Sequence, residues 1–180
     1  MIVYIMRHGE TIWNYKGIIQ GRSRNRLSKK GIEQAKSQSL KYKDINFDVI
    51  ISSPVFRAVQ TSKIMQENQN CEIKKNEKIT EIDQGVFAGR LKSSMTEQDW
   101  ENYFSKNKEF GLENNDEIFS RVNDFANELK ENYKEKTVLV VTHRAIAKRL
   151  LTILKNENRS NEEMFNWKIF DNAEIQKVEI

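Results

Sequence analysis

Three runs of apolar residues constrain this chain more than any other feature. Ile2–Met6, Phe47–Ile51 and Val138–Val141 place bulky or β-branched side chains at successive positions with almost no polar interruption. A strand with one wet face alternates apolar and polar residues. A run apolar on both faces belongs to a strand covered on both sides. Each of the three runs is followed by a helical pattern. That succession predicts an α/β fold in three layers, a mostly parallel central sheet with helices on both faces. In open sheets of this kind, ligands sit beyond the carboxyl ends of the strands.

Cap and turn signals place the helices. Ser28 caps a helix reaching about Leu40. Ser53 as N-cap, with Pro54 at the first helical position, opens a helix to about Gln66. Cys71–Lys74 reads as a short strand. Ser94 with Glu97 forms a capping box for a helix carrying Trp100, Tyr103 and Phe104, aromatics assigned to the core rather than to a subunit contact. From Asp116 to about Tyr133, Ile118, Phe119, Val122, Phe125, Ala126 and Leu129 keep a helical period. Arg144–Lys155 follows the third apolar run as a helix. Ser160 with Glu163 is a further capping box, and Trp167–Phe170 and Ile175–Ile180 read as two late strands. No internal repeat and no Gly/Ser/Pro linker divides residues 1–180, which are read as one domain.

Composition closes off several classes. The one cysteine, Cys71, cannot pair internally, which excludes a disulfide scaffold and fits a reducing compartment. No stretch approaches the ~20 apolar residues of a membrane helix. The first apolar run meets Arg7 at once and lacks the flanks of a signal peptide. The expectation is a soluble cytoplasmic protein with no membrane partner. Thirty basic against 26 acidic residues leave a net charge of +4, a mild excess that suits small anionic substrates. Arg22, Arg24 and Arg26 raise the question of nucleic acid. No helix-turn-helix, zinc-finger or aromatic RNA-binding motif accompanies them, so no nucleic-acid partner is expected.

The chain has only two histidines, His8 and His143, and each directly follows a predicted buried strand. Around the first lies Arg7-His8-Gly9-Glu10-Thr11, then Trp13-Asn14 and Gln20-Gly21. Further on come Ser52-Ser53-Pro54 with Arg57-Ala58 and Gln60-Thr61, then Glu81 with Gly85 and Gly89, and finally Val140-Val141-Thr142-His143. Taken together and in this order, these segments resemble the histidine phosphatase superfamily, in its phosphoglycerate-mutase-like branch. The resemblance implies an α/β fold and catalysis by Arg7, His8, Arg57, Glu81 and His143. It implies a phosphohistidine intermediate on His8, no metal and no cofactor. It also suggests that Asn14, Gln20 and Gly21 face the substrate; Arg144, which departs from the pattern, reads either as reaching a substrate anion or as capping the fold toward solvent.

Those residue types suit the chemistry. A phosphomonoester is a dianion with a poor leaving group, and its uncatalysed hydrolysis is among the slowest reactions known. Arg7 and Arg57 would supply fixed charge and planar donor forks. His8 would be the nucleophile, provided its second ring nitrogen is pinned by a hydrogen bond. His143 would donate to the transferring group. Glu81 would protonate the leaving oxygen and later deprotonate water.

Four places depart from the family pattern. Arg24 and Arg26 stand where an Asp and a Pro are usual, and with Arg22 they make either a basic rim or a solvated loop. Leu112-Glu113-Asn114 replaces Gly-Glu-Ser. Arg144 replaces the Gly after the second histidine. Phe87-Ala88 replaces Trp-Glu. These changes bear on the substrate. The leading expectation is a metal-independent phosphomonoester hydrolase acting on a small phosphorylated substrate or a phosphoprotein, as a monomer or homodimer. A phosphoglycerate-type mutase and a phosphate-binding module without turnover are the alternatives.

Overall fold

The computed structural model describes residues 1–160, 163, 167 and 169–180. In chain order its elements are β1 (Ile2–Arg7), α1 (Ile12–Tyr15), α2 (Lys29–Lys41), β2 (Val49–Ser52), α3 (Phe56–Gln66), β3 (Glu72–Lys75), α4 (Glu97–Ser105), α5 (Asn115–Asn132), β4 (Thr137–Thr142), α6 (Arg144–Leu154) and β5 (Ile175–Glu179). The strands form one sheet in the order β3-β2-β4-β1-β5. The first four are parallel, and β5 runs antiparallel along β1.

The apolar runs explain the layers. Successive side chains of a strand point to opposite faces. Val3, Ile5, Val49, Ile51, Val138 and Val140 pack on one face with Ile118, Val122, Phe125 and Leu129 of α5 and Ile146, Leu150 and Leu151 of α6. Tyr4, Met6, Ile50, Leu139 and Val141 pack on the other with Ala58 and Met65 of α3 and with Phe47. The runs are continuous because both faces are dry.

Register fixes the active edge. Arg7 pairs with Thr142, and Ser52 with Val141. Main-chain bonds from His8 N to Thr142 O (3.0 Å) and Ser53 N to Val141 O (2.9 Å) carry the ladder one residue further. His8, Ser53 and His143 therefore leave the sheet side by side.

Several expectations are corrected. α3 begins at Phe56 with Val55 as N-cap, not at Ser53-Pro54. The Ser53 hydroxyl is occupied elsewhere, by His143. β2 begins at Val49; Phe47 stays outside the strand, with Phe47 N bonded to the Gln69 side chain. The capping box of α4 is Thr96 with Asp99, two residues beyond Ser94 and Glu97. Asp99 is held there because Arg90 grips both its oxygens, at 2.7 and 2.8 Å. Tyr103 packs against Phe87, whereas Phe104 is 54% exposed. Phe119 is 57% exposed although it lies within the period of α5, because the apolar face of that helix is already filled by its neighbours. Trp167, Ile169 and Phe170 are not in a strand. Phe170 adopts φ +60, which turns the chain and aims its carbonyl inward. Ser160 and Glu163 do exchange the two bonds of a capping box, at 2.7 and 3.2 Å, but the residues that would continue that helix, 164–166, lie outside the described residues.

Candidate active site

His8 sits at the end of β1 with 2% exposure. Its Nδ1 is 2.7 Å from the Gly9 carbonyl, an acceptor only, so Nδ1 carries the proton. Nε2 is then left with its lone pair, and it accepts from Arg57 Nε at 3.1 Å. Burial, and next the charges of Arg57 and Arg7, hold the His8 ring well below the ordinary imidazole value. The ring is neutral at neutral pH.

His143 is the N-cap residue of α6 and is fully buried. Its Nδ1 accepts from Arg57 NH2 at 3.1 Å, because a guanidinium can only donate. Nε2 therefore donates to Ser53 Oγ at 2.8 Å. Burial and the charge of Arg57 depress this ring as well. The two rings meet edge to face with centroids 5.2 Å apart.

Arg57 joins these groups. It projects from the first turn of α3 with no exposure. Besides the two imidazoles, its guanidinium donates to Gly21 O (2.8 Å) and Ser23 O (3.3 Å). Burial lowers its pKa, and the Glu81 carboxylate opposes that shift. Arg7 donates to Phe170 O at 3.0 Å, while its buried Nε has no partner in the protein. Burial, then the nearby charge of Arg144, brings Arg7 down to about 10, so it stays cationic at neutral pH. Glu81 extends from a loop. Its Oε1 accepts from Ile82 N at 2.9 Å, and Oε2 lies 3.6 Å from His143 Nδ1 and 3.7 Å from Arg57 NH2.

Of these five side chains, Arg7, His8 and Glu81 line one small cavity of about 140 Å³; Arg57 and His143 do not line it and stand behind His8 and Glu81. Asn14, Gln20, Gly21 and Arg144 line it as well. Asn14 is held by its role in the capping box of α1, where its Oδ1 accepts from Thr11. Gln20 accepts from the Thr11 hydroxyl at 2.9 Å. Arg144 donates to Phe170 O (3.2 Å) and Asp171 (2.8 Å), so Arg7 and Arg144 share one carbonyl. Of the two readings of Arg22, Arg24 and Arg26, a basic rim or a solvated loop, Arg22 and Arg24 do not form the rim. Arg22 folds back onto Glu81 O (3.0 Å) and Glu113 (3.2 Å), and Arg24 lies over the Phe56 ring. Gly85 has φ +48, and a Cβ there would stand 1.8 Å from Phe110 O, so the turn after Glu81 requires glycine.

Sequence reasoning did not single out Ser53 as a partner of His143, or Lys92 and Tyr103 as pocket walls. Ser53 had a local reading as a cap that concealed its tertiary one. Lys92 and Tyr103 arrive on the segment covering the pocket, where no periodicity points at a site. Among the described residues, no group of three or more His, Cys, Asp or Glu gathers as a metal site would require. None of their helices is long and apolar enough to cross a membrane.

Fold and pocket together define an α/β protein with buried arginines set beside neutral imidazoles at the carboxyl edge of its sheet. The sequence profile of the histidine phosphatase superfamily (branch 1) matches residues 3–180. The chain belongs to that superfamily. It is 33% identical over 145 residues to phosphoserine phosphatase 1 of Hydrogenobacter thermophilus, covering 77% of this chain and 69% of that protein. It is 36% identical over 97 residues to the protein named probable phosphoglycerate mutase GpmB of Salmonella choleraesuis, covering 54% of this chain and 45% of that protein. The crystal structure of the alpha-ribazole phosphatase from Shigella flexneri superposes with a TM-score of 0.87 at 24% identity, covering 100% of this chain and 91% of that one. Such a distant match speaks for the fold alone.

Proposed function

We propose that this chain is a phosphomonoester hydrolase that works through a phosphohistidine on His8. The observation that carries the reading is the bond from His8 Nδ1 to Gly9 O. It fixes the tautomer, and the ring, held neutral by burial and by the charges of Arg57 and Arg7, directs its Nε2 lone pair at the guanidinium of Arg57. A neutral imidazole beside two cations combines a nucleophile with a seat for a dianion.

The steps follow from the layout. The phosphoryl oxygens take the donors of Arg7 and Arg57, including the Arg7 Nε that lacks a protein partner. Arg57 Nε shifts its hydrogen bond from His8 Nε2 to a phosphoryl oxygen, the freed Nε2 lone pair attacks phosphorus, and the bond from phosphorus to the ester oxygen breaks. Glu81, as the carboxylic acid, passes its proton to that leaving oxygen. The alcohol departs and water takes its place. The Glu81 carboxylate accepts a proton from the water as its oxygen bonds to phosphorus, the N–P bond breaks, and His8 returns to its neutral form. Ser53 can donate or accept, so it can follow His143 when that ring carries its proton on Nδ1 toward the phosphoryl group. A cavity of about 140 Å³ suits a phosphoryl group with a short alcohol. The relative named as a phosphoserine phosphatase agrees in reaction class.

The test is phosphate release from a panel of small phosphomonoesters in EDTA, with His8→Ala as control. Release that depends on His8 and persists in EDTA is expected. The relative named as a probable phosphoglycerate mutase carries the second reading, a phosphomutase. Transfer of phosphate within a bisphosphate substrate, in place of its release, would favour it.

A further inference from the structure

Glu81 belongs to no helix or strand, yet an acid must stand at a fixed point. Its own carboxylate is weakly tethered. Among the described residues its one bond within hydrogen-bonding range runs from the adjacent Ile82 N, and the contacts to His143 and Arg57 are 3.6 and 3.7 Å long. The main chain must therefore set the position of the carboxyl group.

That main chain is held from three sides. Arg121 NH1 donates to Lys78 O (2.7 Å) and Thr80 O (2.9 Å). Arg22 Nε donates to Glu81 O itself at 3.0 Å. Asp83 N donates to Glu113 Oε2 at 3.1 Å, and Glu113 N returns a bond to Asp83 O at 3.2 Å. The two arginines then meet on the same carboxylate. Arg121 binds both Glu113 oxygens, at 2.6 and 3.0 Å, and Arg22 NH2 binds Oε2 at 3.2 Å. Arg22 also lies between Gly21 and Ser23, whose carbonyls receive the Arg57 guanidinium. A single short segment thus ties the phosphate-side arginine to the peptide of the acid.

We propose that Arg22 and Glu113 are positioning residues that fix the Glu81 carboxyl group relative to Arg57 and the phosphoryl site. The proposal rests on the reading of Glu81 as the proton donor. Neither residue lines the cavity, so they act through Glu81 rather than on the substrate. A misplacement of ~1 Å can cost about 100-fold in rate. In the phosphorylating step, which kcat/KM reads, the loss should appear only where the leaving oxygen needs a proton; attack of water on the phosphohistidine is common to both esters.

The experiment compares wild type, Arg22→Ala, Arg22→Lys, Glu113→Gln and Glu81→Gln on p-nitrophenyl phosphate and on an alkyl phosphomonoester. The nitrophenolate leaves with little protonation. Arg22 is 42% exposed at its side chain, so its removal opens no core cavity and the variant is expected to fold. Arg22→Ala should lower kcat/KM on the alkyl ester by about 10- to 100-fold. On p-nitrophenyl phosphate kcat/KM should stay within a few-fold, and vanadate affinity should be unchanged. Lysine has one ammonium and cannot span Glu81 O and Glu113 together, so Arg22→Lys should fall between wild type and alanine. Glu113→Gln should follow the pattern of Arg22→Ala. Equal slowing of both esters by Arg22→Ala and Arg22→Lys, or slowing of neither, overturns the proposal when Glu81→Gln still discriminates. Glu81→Gln slowing both esters alike would instead remove the acid reading, and the positioning role with it.

Discussion

Arg57 carries a full charge at a fully buried position, and its guanidinium touches two imidazoles and two carbonyls. Its removal would take the arginine bond from His8 Nε2, His143 Nδ1 and Gly21 O, all buried, while Ser23 O keeps its bond from Asn25 N. Charged hydrogen bonds contribute about 1.5–3 kcal/mol each. Arg57→Ala is therefore expected to weaken orthovanadate binding by about 2–3 kcal/mol, read by titration calorimetry. Arg57→Lys should recover little, since an ammonium lacks the planar fork. Unchanged vanadate affinity in both variants would place Arg57 outside the anion site. At this scale the sequence was informative where a residue adjoins its own strand. Arg7, His8 and His143 were legible because β1 and β4 end beside them. The spacing of eight between Glu113 and Arg121 was legible too, but the bonds of Ser53 to His143 and of Arg22 to Glu113 were not, because the partners lie 90 and 91 residues apart.

Helix α2 shows how an element is seated against the site. Gly31 lies near its start, and a Cβ built there would stand 1.9 Å from Glu10 O. Gly9 meets the same contact from the other side, with Gly31 O at 2.4 Å from its added Cβ. The helix thus touches the backbone of the catalytic loop directly. Alanine is a better helix former than glycine by ~1 kcal/mol. The collision is larger, since forced overpacking costs about 1–3 kcal/mol or more. Gly31→Ala is expected to lower the urea midpoint despite the propensity gain, and a raised midpoint would show that α2 can slide freely. Elements with a strong single signal were legible: the dry strands, the Ser28 cap, the period of α5. Boundaries failed where two caps competed. Thr96-Asp99 won over Ser94-Glu97 through Arg90, a residue that no local pattern connects to the box. Phe170 failed as a strand because its carbonyl is recruited by Arg7 and Arg144.

Across the whole molecule, the two histidines make stability depend on pH. Both have folded values well below the ~6.5 of an unfolded chain. Between those values the unfolded chain takes up protons that the folded one refuses. Their contribution is therefore complete above about pH 6.5 and lost as pH falls toward the folded values. With two such groups the slope approaches about 2.7 kcal/mol per pH unit. Urea midpoints measured from pH 7.5 to 5.5 should drop accordingly, and removing either imidazole should halve the slope. A flat profile would mean that the rings are charged in the folded protein. The bond that fixes the His8 tautomer ends on a main-chain carbonyl, and a carbonyl survives every substitution. Substitution in the covering wall, at Lys92 or Tyr103, can reshape the pocket without turning His8 Nε2. Divergence is open on that side of the molecule and closed at Gly9 and Gly31, where one added methyl group would strike backbone.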